Sequence, residues 1–228
     1  MSLFNRRFYF LMSLIVAALV VDGFGPRLGA RLIHPPVPPG TILYIHAVVF
    51  SSWVIFFIVQ TALVGVRKVK IHRTLGWWGG VLGASIPILG TATAIVVGRS
   101  DAHPTDADAA FLVFSFYDMA AFAVAFALAL HWRHRPEFHR RLMFIATCGL
   151  QSAAVARILP RGSPHEWIYV GVDVLIFSGV MRDWIFARRI HPVYVRGWIP
   201  LLLCQVLVLY IEISRPQWWL TIAHGIVG

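Results

Sequence analysis

Long apolar runs are the feature that most constrains how this chain can fold. They fall at residues 8–23, 41–66, 75–98, 111–131, 140–159, 166–188 and 197–214. Because the hydrocarbon core of a bilayer is about 30 Å thick, a helix needs about 20 apolar residues to cross it. Only 13% of the 228 residues are charged, too few to cover a soluble domain of this length. The sequence therefore predicts one all-α integral membrane domain over residues 1–228, a polytopic transmembrane bundle of about seven helices.

The Lys and Arg residues predict the orientation of the bundle. With a cytoplasmic N-terminus, fourteen of the twenty Lys and Arg residues lie on the cytoplasmic side and six on the other side. Membrane proteins keep an excess of Lys and Arg in their cytoplasmic loops. The C-terminus is then periplasmic, as is the acidic loop that begins at Asp101. The net charge of +10 comes from the same basic residues that set this orientation. The lipid bilayer is therefore the predicted partner, and nucleic acid is not.

Helix pairs repeat along the chain. Three descending helices each lead into a basic turn that contains a histidine, namely His72, His139 or His191. This pattern indicates one leading helix followed by three parallel helical hairpins. The proline-rich stretch 35–39 predicts a stiff, non-helical connection after the leading helix. A Trp218-Trp219 pair in the tail is typical of a segment at the lipid headgroups.

Ionisable residues lie at one depth in the descending helices. His46, Asp118 and Asp173 are five to seven residues inside the predicted outer boundary, which is about 8–11 Å at the rise of an α-helix. Such residues are costly in a membrane span and therefore indicate function. The ascending helices add further polar residues to this layer: Gln151, Arg157 and Glu212. The sequence thus predicts a polar pocket in the outer leaflet.

Three interpretations of this pocket remain open. One histidine and two carboxylates form a ligand set for iron, zinc or manganese. Alternatively, Arg157 faces Asp118 and Asp173 in a proton- or anion-handling pocket where His46 titrates. In the third interpretation, Arg157 pairs with the aspartates only to hold the bundle together.

Histidines at the predicted cytoplasmic end suggest a second site. His72 and His139 each begin an ascending helix, and two histidines at one depth on different helices can ligate a b-type haem. Because both lie in basic turns, contact with lipid phosphate is the alternative interpretation. The remaining histidines of the turns, including His165 and His191, are predicted to be loop residues.

Two further patterns concern helix faces. Trp53 and Gln60 follow His46 at heptad spacing, which places them close to one face of their helix. Gln60 needs a polar partner in hydrocarbon, either on another helix or along a substrate path.

The next helix carries glycines four residues apart, which favour close helix packing. These pairs are Gly76/Gly80 and Gly79/Gly83.

Several motifs together resemble a group of bacterial multi-pass inner-membrane proteins without an established activity. The motifs are His46 through Trp53 to Gln60, His-Arg-Thr-Leu-Gly at 72–76, and Phe-His-Arg-Arg-Leu-Met at 138–143. The resemblance covers most of the chain and implies a bacterial inner-membrane location. It carries over no mechanism and no functional residues.

The resulting functional hypothesis is a bacterial inner-membrane protein with an outer polar pocket. This pocket, formed by His46, Asp118 and Asp173 beside Arg157, would bind a divalent metal ion or a small redox or lipid-soluble ligand such as a quinone. A b-type haem is the second cofactor hypothesis. The alternatives are a small proton-coupled transporter or channel-like protein, and an accessory subunit that works with partner proteins in a larger membrane complex.

Overall fold

The computed structural model describes residues 3–29, 33, 40–100 and 105–227. Within them the chain forms nine α-helices and one π-helical turn. In chain order the elements are α1 (Leu3–Leu28), α2 (Thr41–Gly65), α3 (Val69–Arg99), α4 (Asp106–His131), α5 (Pro136–Gly149), α6 (Ser152–Ile158), α7 (Glu166–Ala187), the π-helical turn Tyr194–Trp198, α8 (Ile199–Ser214) and α9 (Gln217–Val227). The predicted stiff connection at 35–39 and Asp101 of the predicted outer loop lie outside the described residues.

Five of these helical segments are long and apolar enough to cross a membrane: Arg7–Leu28, α2, α3, α4, and Tyr194–Ser214. The prediction of an all-helical, multi-pass membrane protein is confirmed in this coarser form. The number of helices differs from about seven, because the segment predicted at 140–159 is divided between α5 and α6 and the tail forms α9. The division follows Gly149, a residue that disfavours continuation of a helix. α7 is long, but its charged residues set it apart from the apolar spans.

α4 occupies the centre of the bundle and packs against α3, α5, α8 and α9, while α1 packs against α2, α6 and α7. The first two predicted hairpins, α2–α3 and α4–α5, are closely packed pairs. The third predicted hairpin, α7–α8, is different. Its two helices are not among the closely packed pairs, and contacts between their side chains connect them. The core includes Trp53, which is 1% exposed and meets the edges of Phe122 and Phe126 at centroid distances of 5.4 and 5.6 Å.

Two of the four glycines predicted to mediate packing in α3 do so. A Cβ atom added at Gly79 or Gly83 would lie 2.3 Å from a ring carbon of Phe56 or Phe126, respectively. At Gly76 and Gly80 an added Cβ would have no neighbour within 4 Å. The close-packed glycine face is therefore the one that holds Gly79 and Gly83.

α9 lies across the ends of α3 and α4. Arg99 donates a hydrogen bond to the Ile226 carbonyl at 2.8 Å, and His224 is 2.8 Å from the Asp106 carboxylate. Trp219 is buried against α4, whereas Trp218 is 57% exposed. One member of the tryptophan pair therefore packs into the bundle, and only the other has the exposure expected of an interfacial residue.

Candidate functional site

Polar side chains from several helices meet inside the bundle. We call this set the interior polar cluster; it consists of Tyr117, Asp118, Ser152, Tyr169, Asp173, Trp198 and Gln205. The Ser152 hydroxyl donates a hydrogen bond to the Asp118 carboxylate. Asp173 accepts hydrogen bonds from Trp198 Nε1 at 2.8 Å and from Gln205 Nε2 at 3.3 Å. The cluster thereby ties α4 to α6 and α7 to α8.

A small cavity lies at the centre of the interior polar cluster. Asp118, Tyr169 and Gln205 are among the residues that line it, and it offers about 20 Å³ of space, enough for one water molecule. The Tyr169 hydroxyl is buried and has no hydrogen-bond partner among the described residues. Asp118 and Asp173, predicted to share a layer, are therefore brought together through Gln205, which contacts Asp173 and lines the cavity beside Asp118.

A larger depression, which we call the outer groove, lies at the ends of α1, α4, α6 and α7 that the sequence predicts to be on the outer side. Its volume is about 260 Å³. It is lined by Arg27, Phe111, Ala156, Leu159, Pro160, Arg161, Gly162, Ser163, His165 and Ile168. At its edge, Nδ1 of His165 donates a hydrogen bond to Oε1 of Glu212 at 2.9 Å. The side chain of Glu212 is 12% exposed and that of His165 is 43% exposed, so part of the histidine ring remains accessible.

Aromatic rings connect the outer groove to the interior polar cluster. The His165 ring meets Phe114 edge-on at 5.8 Å, Phe114 stacks on Tyr169 at 5.3 Å, and Tyr169 meets Tyr117 at 5.6 Å. Tyr117 also donates a hydrogen bond to the Leu201 carbonyl at 3.0 Å. These contacts form a continuous packed column between the two places.

Arg157 lies in α6 and follows Ala156, a residue that lines the outer groove. Its guanidinium lies over the Phe24 ring at 4.3 Å and donates a hydrogen bond to the Ala153 carbonyl at 2.5 Å. The carbonyl of Arg157 accepts a hydrogen bond from Arg27 at 3.2 Å. These contacts join α6 to α1, and the predicted relation of Arg157 to Asp118 and Asp173 stays a prediction.

The other residues predicted for the outer pocket are dispersed. His46 stacks on Phe50 of its own helix at 3.9 Å, and Gln151 donates to the Thr147 carbonyl at 3.2 Å. Gln60 is buried, with no hydrogen-bond partner for its side chain in the described part of the chain. Among the described residues, no three His, Cys, Asp or Glu side chains are grouped so that they could share a metal ion. The metal site at His46, Asp118 and Asp173 stays a prediction.

His72 and His139 are neighbours, as the haem hypothesis requires. Their ring centroids are 6.3 Å apart and their ring planes meet at 73°. His139 donates a hydrogen bond from Nδ1 to the Ala129 carbonyl at 2.9 Å. Such a bond fixes the ring and leaves Nε2 for a ligand, which is the usual arrangement of metal-binding histidines. The haem itself stays a prediction.

His165 lies in the turn before α7, as predicted, but its pairing with Glu212 was not predicted from the sequence. It precedes α7, and its partner Glu212 closes α8, so the pair is separated by 47 positions. The sequence signal that could have found it is shared depth, because both residues lie at the predicted outer ends of their helices.

Comparisons with known proteins give one limited similarity. The chain is 28% identical over 158 residues to a subunit of tetrathionate reductase from Salmonella typhimurium strain LT2. The aligned part covers 55% of this chain and 46% of that relative, so the chain spans about half the length of the relative. No protein-family model matches the chain, and no solved structure matches it.

Proposed function

We propose that this chain is a membrane subunit of an oxidoreductase complex and that its outer groove holds the ring of a lipid-soluble two-electron carrier of the quinol class. Similarity to a subunit of a reductase supports the first part. The observation that carries the second part is the His165–Glu212 hydrogen bond at the edge of a groove in a membrane bundle, whose lining combines apolar side chains with Arg27 and Arg161.

The outer groove has the chemistry that a quinol ring requires. Phe111, Leu159 and Ile168 supply apolar surface for the ring faces, and His165 supplies a nitrogen for one ring hydroxyl. Binding sites for such ligands are mostly apolar, with a few polar groups that fix the orientation. The volume of about 260 Å³ suits a single ring with the isoprenoid tail outside the groove.

His165 would act as the proton acceptor. With Nδ1–H held by Glu212, Nε2 is free to accept a hydrogen bond from a quinol hydroxyl. When the quinol is oxidised it loses two electrons and two protons. One proton passes to Nε2 of His165, whose positive charge the Glu212 carboxylate stabilises, and the other passes to water at the mouth of the groove. The two electrons pass to a redox centre of a partner subunit.

A binding measurement tests the groove directly. Purified protein in maltoside micelles is titrated with decylubiquinol under anaerobic conditions, and binding is followed by tryptophan fluorescence. We expect His165→Gln to weaken binding about tenfold, because it removes the nitrogen that the hydroxyl contacts. His134→Gln, at an exposed histidine near the other end of the bundle, serves as the matched control and should bind as the wild type does. Equal affinity in all three proteins would refute the proposed groove.

The role as a subunit has its own test. Affinity purification from native membranes in mild detergent should retain a second chain that carries a redox centre, visible by absorbance or metal content. The retained complex should oxidise decylubiquinol, and His165→Gln should lower this rate while leaving the complex assembled. Purification of the chain alone, with no retained redox protein at any detergent concentration that keeps it folded, would contradict the role as a subunit.

The other functional hypotheses remain alternatives. Metal analysis would support the site at His46, Asp118 and Asp173 if it found a stoichiometric divalent ion that His46→Ala removes. Flux through reconstituted vesicles, lost in Asp118→Asn, would support a proton-coupled transporter. The His72–His139 pair favours a haem as a second redox element in the proposed subunit, which an absorption spectrum would reveal.

A further inference from the structure

Charged side chains are concentrated at the end of the bundle opposite the outer groove. We call this set the inner ion cluster; it consists of Tyr9, Glu137, Arg140, Arg141, Arg182 and Asp183. It joins α1, α5 and α7, and it lies among the helix ends predicted to be cytoplasmic. The residues have no part in the proposed function, which concerns the other end of the molecule.

The arginines of the inner ion cluster outnumber its carboxylates. Arg141 holds Asp183 through two hydrogen bonds of 2.7 and 2.8 Å and reaches Glu137 at 2.6 Å. Arg182 also bonds to Asp183, at 2.9 Å, and Arg140 bonds to Glu137 at 2.5 Å. Three guanidinium groups therefore share two carboxylates, which leaves an excess of one positive charge.

Much of this charge is buried. The side chains of Arg141, Arg182 and Asp183 are 4%, 7% and 0% exposed. A buried charge without full compensation is costly, because it loses its hydration without regaining equivalent interactions. A negative group from outside the cluster would compensate this excess charge.

Hydrogen-bond donors in the inner ion cluster are also unused. The Nε atoms of Arg140 and Arg182 and the Tyr9 hydroxyl are buried and have no hydrogen-bond partner among the described residues. Both guanidinium groups lie near the Tyr9 ring, with their Cζ atoms 5.7 and 5.2 Å from its centroid. The unused donors therefore lie close to the Tyr9 side chain on α1.

We propose that the inner ion cluster binds a phosphate group. A phosphate has several acceptor oxygens and a negative charge, so one group can satisfy two arginine Nε donors and a hydroxyl while neutralising the excess charge. Access is available through Arg140 and Glu137, whose side chains are 34% and 56% exposed. The phosphate could belong to an anionic lipid headgroup, which occupies this level of the membrane, or to a soluble phosphate compound.

Titration of delipidated protein in maltoside micelles tests this proposal. The probes are dioctanoyl phosphatidylglycerol, inorganic phosphate, and dioctanoyl phosphatidylcholine as a zwitterionic lipid with the same chains. We expect saturable binding of an anionic probe and a loss of about tenfold or more in Arg140→Gln, which removes a charged donor but leaves the Arg141–Asp183 pair intact. Tyr9→Phe should weaken binding about threefold to tenfold, since it removes one hydroxyl donor.

Arg189→Gln is the matched control, because it removes an exposed arginine from the same end of the molecule; it should bind within about twofold of the wild type. Binding of phosphatidylglycerol that inorganic phosphate does not displace would identify a lipid headgroup as the ligand. Binding of inorganic phosphate with the same ranking of variants would identify a soluble phosphate compound. The proposal is overturned if no anionic probe binds saturably, or if Arg189→Gln loses as much affinity as Arg140→Gln, since the binding would then reflect diffuse surface charge.

Discussion

Replacement of Gly83 by alanine should destabilise the seam between α3 and α4. The added Cβ would lie 2.3 Å from Cζ and 2.4 Å from Cε2 of Phe126. Ordinary carbon contacts begin near 3.4 Å, so the ring must move by about 1 Å. Phe126 is confined, because it stacks on Phe122 at 5.5 Å and meets the edge of Trp53 at 5.6 Å. The clash therefore spreads into the core and is not absorbed by one side chain.

The magnitude follows from the density of this packing. Overfilling a well-packed core costs about 1–3 kcal/mol. The gain in helix propensity from glycine to alanine is about 1 kcal/mol in water, but it contributes little here if the helix persists in the denatured state within micelles. We therefore expect Gly83→Ala to lower the free energy of unfolding by about 1–3 kcal/mol. Gly80→Ala, on the same helix but in open space, should change it by no more than about 0.5 kcal/mol.

Unfolding in mixed maltoside and dodecyl sulfate micelles, followed by tryptophan fluorescence and far-ultraviolet circular dichroism, measures both variants. Gly80→Ala corrects for any effect of the extra methyl group on the helix itself. If Gly83→Ala were as stable as Gly80→Ala, Phe126 would not be confined as described, and tight packing at the α3–α4 seam would be refuted.

Three further predictions concern other parts of the molecule. Thr105→Ala removes one half of the capping box that Thr105 and Asp108 form at the start of α4, and the same unfolding assay should show a loss of about 1 kcal/mol. If the histidine pair binds a haem, the purified protein should show a Soret band that His139→Ala abolishes, and a wild-type spectrum without that band would contradict the haem hypothesis. Burial, aided by the charge of Arg141, lowers the pKa of His191 in the folded protein. As the pH falls below about 6.5, His191 is therefore protonated in the unfolded chain before it is protonated in the folded chain. Stability should therefore fall as the pH drops through about 6.5, and His191→Gln should make that slope shallower; an unchanged slope would contradict this assignment.

The position of a residue along its helix could be predicted from the sequence, whereas the direction of its side chain around the helix could not. Because the helical rise is fixed, equal spacing from a boundary placed Asp118 and Asp173 in one layer, and they share the interior polar cluster. His46 has the same depth but stacks on Phe50. The direction of a side chain depends on which helices are neighbours, and that information is absent from the periodicity of a single segment.

Two further features escaped sequence reasoning for physical reasons. Arg182 and Asp183 are adjacent in the chain, a pattern typical of a polar helix end, yet both are buried. Asp183 is held by Arg141, which is 42 positions away in sequence but lies directly opposite in space. The hydrogen bond between His165 and Glu212 likewise joins two helix ends that are distant in sequence and that only the tertiary packing brings together. Both are long-range pairs, which local patterns do not encode.

The predicted orientation does not depend on the inner ion cluster. Arg140, Arg141 and Arg182 all pair with carboxylates in the folded protein, and their removal from the fourteen residues on the predicted cytoplasmic side leaves eleven against six. Leaving these three arginines out of the count is conservative. Orientation follows the Lys and Arg residues, and acidic residues contribute little to it. The prediction that the outer groove faces the periplasm therefore stands on the remaining basic residues. In that orientation, oxidation of a quinol in the groove would release its protons on the periplasmic side, while the phosphate site would meet the cytoplasmic leaflet, where anionic lipids give the surface its negative potential.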